Sequence, residues 1–222
     1  MLVSLRMSTP GPLLGPALGP VLGPVLGLLL LVAAAGCTSE SPREPAATKA
    51  PEPTAESTPL ADYDTSDLTL ARAPFCDRVA DTAISAALAG EPSDEQSWRP
   101  GGRLPDTKDI SNEFGCAWTA GAVTARAWVF APPMSAERAT DAAAASEPGK
   151  NCRPLPSAPS LGTPGVARSC ELDSGDSLVG FAGLVGDAWV SCEITGPGVT
   201  RGDGVTRGGD WCVAILEALR SA

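Results

Sequence analysis

The sequence predicts an α+β protein: a two-layer sandwich in which an antiparallel sheet of about five strands packs against an N-terminal, a middle and a C-terminal helix. Three observations support this prediction. Residues 71–222 show helical and strand patterns in the order helix, two strands, helix, three strands, helix. Short turns join successive strands, which favours antiparallel pairing. The same segment contains six of the seven cysteines, enough for three disulfides.

Helical patterns occur at the start, middle and end of this segment. Residues 75–90 repeat apolar side chains at helical spacing, and the pattern ends near Gly90, because glycine is favoured just after a helix. Residues 135–147 predict a weakly apolar helix with Ser135 as its N-cap. Residues 209–222 again have one apolar helical face.

Five further segments combine β-branched or aromatic residues with turn residues at their ends, as strands do. They are residues 115–121, 122–133, 165–172, 176–184 and 187–194. The segments 91–113 and 147–164 contain repeated proline and glycine, so they are predicted as loops.

Composition argues against several classes of function. Sixteen basic and twenty-six acidic residues give a net charge of −10, which disfavours nucleic acid as a partner. Histidine is absent from the sequence, so none can serve as general base or metal ligand. We also find no serine-nucleophile motif and no phosphate-binding glycine loop. The sequence therefore predicts no catalytic residue, no cofactor and no metal site.

Residues 1–36 have the features of a secretory signal peptide. Arg6 supplies a positive charge, and residues 25–36 form an apolar stretch shorter than the ~20 residues that a membrane-spanning helix requires. Gly-Pro pairs repeat between residues 11 and 27 and disfavour a longer helix. A permanent transmembrane anchor is the alternative interpretation.

Cys37 follows the small residues Ala34, Ala35 and Gly36 at the end of this apolar stretch. The arrangement resembles the lipobox of bacterial lipoproteins, in which the cysteine receives a diacylglyceryl group and becomes the mature N-terminus. Ala34 occupies a position where a branched apolar residue is usual. Since disulfides use cysteines in pairs, a seventh cysteine also suits a separate role. We predict lipidation at Cys37, which would attach the protein to the membrane; a disulfide at Cys37 is the alternative.

The segment after Cys37 is predicted to be a spacer. Residues 38–70 are rich in proline, glutamate, serine, threonine and alanine, a composition that cannot bury enough apolar surface to fold. Such a disordered chain would serve as a tether. The predicted organisation is a signal peptide over 1–36, a lipidated cysteine and spacer over 37–70, and a folded domain over 71–222.

The six domain cysteines allow fifteen pairings, and the sequence alone does not choose among them. They are Cys76, Cys116, Cys152, Cys170, Cys192 and Cys212. Pairing in sequence order is favoured. Cys192 lies on the inward face of its strand and Cys212 on the apolar face of the next helix, so helix-on-sheet packing brings them together. The first two cysteines stand in the same relation, which leaves the third with the fourth.

Four short motifs mark the domain. They are Cys76 opening the first helix, Cys116-Ala117-Trp118 opening a strand, Gly186-Asp187-Ala188-Trp189 on a late strand, and a cysteine in the terminal helix. Together they resemble the secreted lipoproteins of unknown function that are common in actinobacteria. The resemblance covers most of residues 72–220. It implies a lipid-anchored α+β domain on the outer face of the membrane and transfers no catalytic residue.

Two strands carry a candidate binding surface. Trp189 shares the polar face of its strand with Glu193, and Arg126 shares a strand face with Trp128 and Phe130. Surfaces that combine aromatic and charged side chains bind partners by stacking and cation contacts. The alternative is that a helix or loop covers these tryptophans.

These observations favour a non-enzymatic, lipid-anchored module outside the cytoplasm that binds a small ligand, a wall component or an envelope protein. One alternative is a hydrolase that uses only carboxylates, such as Asp203 with Asp210 or Asp173 with Asp176. Another is a structural stabiliser of an envelope complex. The Arg-Gly-Asp tripeptide at 201–203 is interpreted as a chance match in a loop.

Overall fold

Seven antiparallel strands form one sheet within residues 58–105, 107–145 and 151–221, the parts of the chain that the computed structural model describes. The helices are α1 Asp81–Leu88, α2 Ala136–Ala145 and α3 Arg201–Leu219. The strands are β1 Asp94–Trp98, β2 Glu113–Ala120, β3 Val123–Phe130, β4 Cys152–Pro154, β5 Gly165–Glu171, β6 Ser177–Val185 and β7 Ala188–Gly196. Their order across the sheet is β1-β2-β3-β7-β6-β5-β4. The α+β class and the antiparallel sheet are thus confirmed.

Glycine turns close the two hairpins nearest the centre of the sheet. Gly121 lies between β2 and β3 with φ 58°, and Gly186 lies between β6 and β7 with φ 61°. Glycine adopts this left-handed conformation without the steric cost of a Cβ. The pairing of β3 with β7, which places Val129 opposite Val190, then joins the two halves of the sheet.

Helices α1 and α3 cover one face of the sheet, which we call the inner face. Leu88 of α1 and Ile215 of α3 are buried in one core with Trp118 of β2. Trp118 meets Trp211 of α3 edge to face, with 5.4 Å between ring centroids. The Trp211 indole N–H also donates a hydrogen bond of 3.0 Å to the backbone carbonyl of Arg126. This layer agrees with the predicted packing of helices on a sheet.

Helix α3 begins at Arg201, eight residues before the predicted start. Thr200 is its N-cap: the hydroxyl accepts a 3.3 Å hydrogen bond from the N–H of Asp203. Glycines in the first two turns of α3 lower its intrinsic helix propensity, which is why the sequence did not predict that these turns are helical. They also let α3 approach the sheet, since a Cβ on Gly208 would lie 2.9 Å from the Phe181 ring. The 201–203 tripeptide therefore forms a helical turn and not a loop.

The sheet has two strands more than predicted, and both lie at its edges. Strand β1 falls in the segment 91–113 and β4 in the segment 147–164, both predicted as loops. Four of the five residues of β1 are exposed and polar, so they show no apolar alternation. Strand β4 has three residues and ends at Pro154. An edge strand pairs on one side only, so it needs little of the apolar pattern that identifies a central strand.

Helix α2 lies on the opposite face of the sheet, which we call the outer face. Ala139 of α2 is buried against Ala182, Leu184 and Trp189, whose side chains point away from α1 and α3. The predicted arrangement, with every helix on one side of a two-layer sandwich, was therefore wrong in this respect. The weakly apolar face of α2 is sufficient because it covers only part of the outer face.

The end of the predicted spacer, residues 58–70, lies against α3 instead of forming a free tether. Leu60 is only 4 % exposed and belongs to the core. The Tyr63 hydroxyl donates a hydrogen bond to the Glu217 carboxylate and accepts one of 2.9 Å from the Arg220 guanidinium. The folded part thus begins before the predicted boundary at residue 71. The predicted signal peptide, Cys37 and the rest of the spacer fall outside the described residues.

Three disulfides join cysteines of the described chain, as predicted. Cys76 is bonded to Cys116, Cys152 to Cys170, and Cys192 to Cys212. This is the pairing in sequence order. The first bond ties the turn before α1 to β2, the second joins opposite residues of β4 and β5, and the third ties α3 to the central strand β7.

Candidate functional site

The sequence-predicted binding residues lie on the outer face, but they do not form one open surface. Trp189 is 7 % exposed and packs under α2. Glu193 is 8 % exposed, whereas Arg126 and Trp128 are half-buried. For Trp189 the alternative interpretation therefore holds, because helix α2 covers its side chain.

The structure does bring Arg126 and Glu193 together. The two residues are directly opposite each other on β3 and β7, and the same row continues through Gly180 to Arg168 on β5. A guanidinium nitrogen of Arg168 lies 3.8 Å from a Glu193 carboxylate oxygen. Gly180 leaves space for this approach, because a Cβ there would lie 3.3 Å from the Glu193 Cβ. Glu193 is therefore a buried carboxylate between two arginines.

Burial and charge act in opposite directions on Glu193. Loss of water raises the pKa of its carboxyl above the ordinary value of 4.5, and the charges of Arg126 and Arg168 lower it by a smaller amount. The net shift is upward. Ionising this carboxyl therefore costs more in the folded protein than in water.

Trp98, which sequence reasoning placed in a loop, covers one side of this cluster. The Arg126 guanidinium lies 5.6 Å from the centroid of the Trp98 ring, a cation–π contact. The indole lies over Gly115, where a Cβ would overlap the ring, and donates a 3.1 Å hydrogen bond to Glu113. Burial also raises the pKa of Glu113. The result is a polar cluster that Trp98 partly covers, in which the buried Nε of Arg126 has no hydrogen-bond partner among the described residues.

A different site opens on the helical side of the domain, in a groove between α1 and α3. Its volume is about 980 Å³, compared with about 520 Å³ for a second concavity, which Asp64 and Arg220 help to line. Ligand sites commonly occupy ~300 to 1,000 Å³. The groove is lined by Thr58, Tyr63, Arg78, Ala80, Thr82, Ala83, Ala86, Ala87, Asp203, Thr206, Arg207, Asp210, Trp211, Val213, Ala214, Glu217 and Ala218. We call it the α1–α3 groove.

Alanines form much of the apolar lining and explain why the groove is open. Helix α1 buries only some of its alanines. Ala87 is buried, whereas Ala83 is half-buried and Ala86 is exposed. From α3, Ala214 and Ala218 contribute further methyl groups. Side chains this short leave a gap between neighbouring helices that a leucine or phenylalanine would fill.

Two charged groups of α3 line the groove without a partner inside the described chain. The Nε atom of Arg207 is buried and has no hydrogen-bond partner, and Arg207 forms no ion pair. Asp210 also forms no ion pair there, and partial burial raises the pKa of its carboxyl. A buried guanidinium nitrogen without a partner needs an explanation, and a bound ligand or partner would supply one.

The other groove carboxylates are already engaged. Glu217 bonds to Tyr63 and Arg220, and Asp203 accepts a 3.2 Å hydrogen bond from the Thr200 hydroxyl. Asp203 and Asp210 are two helical turns apart, roughly 10 Å along the axis, so they are not a contacting pair.

The second carboxylate pair considered from the sequence lies away from the groove. Asp173 and Asp176 are in the turn between β5 and β6, and Asp176 accepts a 2.7 Å hydrogen bond from Ser174. Neither residue lines the α1–α3 groove.

Comparisons with known proteins add no assignment. No known protein family matches the chain, and no curated protein is significantly similar to it. Within the described ranges, no helix is both long and apolar enough to cross a membrane. The same residues contain no group of three or more His, Cys, Asp or Glu side chains placed to hold a metal ion.

Proposed function

We propose that this protein is a lipid-anchored, extracytoplasmic binding module of the actinobacterial lipoprotein type, and that the α1–α3 groove holds its ligand or partner at the cell envelope. The observation that carries the proposal is the groove itself, with its alanine lining and the unpartnered Arg207 and Asp210. The three disulfides are consistent with an oxidising compartment outside the cytoplasm. The N-terminal pattern that ends at Cys37 supports export and lipidation.

The anchor is tested through Cys37. A Cys37→Ser variant lacks the sulfur that would be acylated, so the unprocessed precursor should accumulate, as it should after treatment with globomycin. Cys76→Ser is the matched control, because it removes a cysteine of the folded domain and should leave processing intact. Normal maturation of the Cys37→Ser variant would exclude lipidation at this residue.

Binding in the groove is tested by photo-crosslinking in intact cells. Ala83 is replaced by a photoreactive benzoylphenylalanine in the whole chain, and the same replacement at Ala136, exposed on α2, is the control. An adduct formed from position 83 and not from position 136 is the expected result. If light produces no adduct specific to position 83, the groove is not a binding site.

A further inference from the structure

We propose that the disulfide between Cys152 and Cys170 is a reversible thiol–disulfide exchange site, whose co-reactant is a dithiol reductant. The other two disulfides of the described chain are structural. This site is separate from the α1–α3 groove, because neither cysteine lines the groove. Three features support the proposal: access to the bond, the spacing of the two residues and the charges around them.

The bond between β4 and β5 can be reached from solvent. Both of its cysteines line a concavity of about 160 Å³, and Cys152 is half-buried. In contrast, Cys192 is 1 % exposed and Cys212 is fully buried, so the bond between β7 and α3 is closed to a reductant. Thiol–disulfide exchange requires that the attacking sulfur reach the bond.

Pairing of the two edge strands sets the spacing of the cysteines. Cys152 and Cys170 lie directly opposite each other, and the N–H of the next residue, Glu171, donates a 2.8 Å hydrogen bond to the carbonyl of Asn151. The cysteines thus occupy a position between hydrogen-bonded pairs, where opposite Cα atoms approach most closely. Their Cα atoms are 3.8 Å apart, compared with 5.8 Å and 5.7 Å in the other two disulfides. Disulfides usually span about 4.4 to 6.8 Å between Cα atoms, and a bond held outside this range is more easily reduced.

The bond between Cys76 and Cys116 combines these features less well. Cys76 is half-buried, but Cys116 is fully buried in the core. The Cα separation of this pair lies within the usual range. Reduction should therefore reach this bond after the one at the edge of the sheet.

Two arginines line the concavity beside the exchangeable bond. They are Arg153 of β4 and Arg201 at the start of α3, and neither forms an ion pair with another described residue. The remaining lining residues are Asn151, Ser169 and Glu171. Since the thiolate is the reactive form of a thiol, two guanidinium groups against one carboxylate favour its approach.

The exchange starts at Cys152, because it is more exposed than Cys170, which is 4 % exposed. One thiolate of the reductant bonds to the Cys152 sulfur, the protein disulfide breaks, and Cys170 leaves as a thiolate that takes up a proton. The second thiolate of the reductant then displaces Cys152 and forms a disulfide within the reductant. Two electrons pass from the dithiol to the protein, and an oxidant of the same class reverses both steps.

Reduction would leave β4 attached to β5 by backbone hydrogen bonds alone. The strand has three residues, and Arg153 and Pro154 are exposed. Leu155, which follows, is buried in the core and donates a 2.9 Å hydrogen bond to the carbonyl of Ala167. Opening is therefore confined to β4, and it exposes the unpaired edge of β5. The exchange would thus control one edge of the sheet while the other disulfides hold the core.

Stepwise reduction without denaturant tests the proposal. The whole chain carries Cys37→Ser, so that no free thiol competes, and it is equilibrated with increasing concentrations of dithiothreitol. Free thiols are then trapped with N-ethylmaleimide and located by peptide mass spectrometry. Cys152 and Cys170 should be half-labelled at a dithiothreitol concentration about tenfold lower than the other four cysteines require. Labelling of any of those four at the same or a lower concentration would overturn the proposal.

Two controls separate the role of the fold from that of the chemistry. In the chain unfolded by guanidinium, all six cysteines should be reduced at similar concentrations, because the fold no longer protects four of them. Reduced glutathione, which has one thiol, should form its mixed disulfide with Cys152 in the folded chain. A mixed disulfide mainly at Cys170 would overturn the assigned order of attack.

Hydrogen exchange after selective reduction tests the consequence for the sheet. Backbone amides of residues 151–154 should exchange faster, whereas those of α3 should be unchanged. If exchange accelerates throughout the domain, or nowhere, the bond does not control the edge of the sheet, and this part of the proposal is wrong.

Discussion

Replacing Trp189 by alanine removes the largest side chain of the outer cluster beneath α2. Trp189 is 7 % exposed and packs with Ala139, Ala182 and Leu184. If its role is to hold α2 on the sheet, the substitution costs stability. If the indole were instead a ligand contact on an open surface, the domain would tolerate its loss.

The size of the loss follows from the buried area. A tryptophan side chain buries roughly 150 to 250 Å², and at ~25 cal/mol per Å² this corresponds to about 4 to 6 kcal/mol. The unfolded chain already hides part of this surface, and the cavity partly collapses, so we expect a loss of about 3 to 5 kcal/mol. For a domain of this size, the melting temperature should fall by roughly 6 to 20 °C.

Guanidinium unfolding with the disulfides intact measures the loss directly. Trp128→Ala is the matched control, because Trp128 also lies on the outer face but is half-buried, and it should lose less than the Trp189 variant. If Trp189→Ala lowers the free energy of unfolding by less than about 1 kcal/mol, the effect is no larger than that of a surface substitution. That result would refute the assignment of this indole to the interior.

Two further predictions concern the N-terminal segment and the buried carboxylate. Leu60→Ala should lower the free energy of unfolding by about 2 to 5 kcal/mol, because Leu60 is in the core. Leu68→Ala should lower it by less, because Leu68 is only half-buried. An unchanged guanidinium midpoint for Leu60→Ala would show that this segment does not support the fold. Burial raises the pKa of Glu193 from its ordinary value of 4.5, so the folded protein keeps a proton that the unfolded chain releases, and stability should fall as the pH rises through the interval above 4.5. Glu193→Gln should remove this part of the pH dependence, and equal slopes for the two proteins in unfolding experiments from about pH 4 to about pH 8 would contradict the argument.

The sequence was most informative where one face of an element meets the core. Alternation in β7 assigned Cys192 to the inner face, and helical spacing assigned Cys212 to the side of α3 that packs there. Both are buried and bonded to each other. The strand pattern and the helical pattern have different periods, but both direct their cysteine to the same core. Their agreement therefore predicted that α3 packs on β7 and that the two cysteines are bonded.

The sequence was least informative about the outer face. Trp118 and Trp189 occur in similar tetrapeptides, Gly-Cys-Ala-Trp and Gly-Asp-Ala-Trp, yet Trp118 packs against α3 and Trp189 against α2. Alternation shows that a residue faces away from one layer, but it does not show whether a second layer covers it. The weak apolar pattern of α2 gave no indication of the side on which it packs.

The α1–α3 groove was not predicted for a related reason. A helical pattern identifies the apolar face of α1, but alanine counts as apolar whether it is buried or lines a gap. Only the packing distinguishes Ala87, which is buried, from Ala83 on the same helical face, which is half-buried and lines the gap. Similarly, the sequence shows Arg207 and Asp210 only as surface charges, whereas the structure shows that neither forms an ion pair with another described residue.

The bonds of Tyr63 with Glu217 and Arg220 have a mechanical consequence. A pull on the chain that precedes residue 58 reaches α3 through Leu60, which lies beside Gly209, and through these bonds near the end of the helix. From α3 the load passes to the centre of the sheet through the covalent link between Cys212 and Cys192. A domain held from its N-terminal side would thus resist force with its most tightly connected helix and strand, while the edge strands carry little of the load.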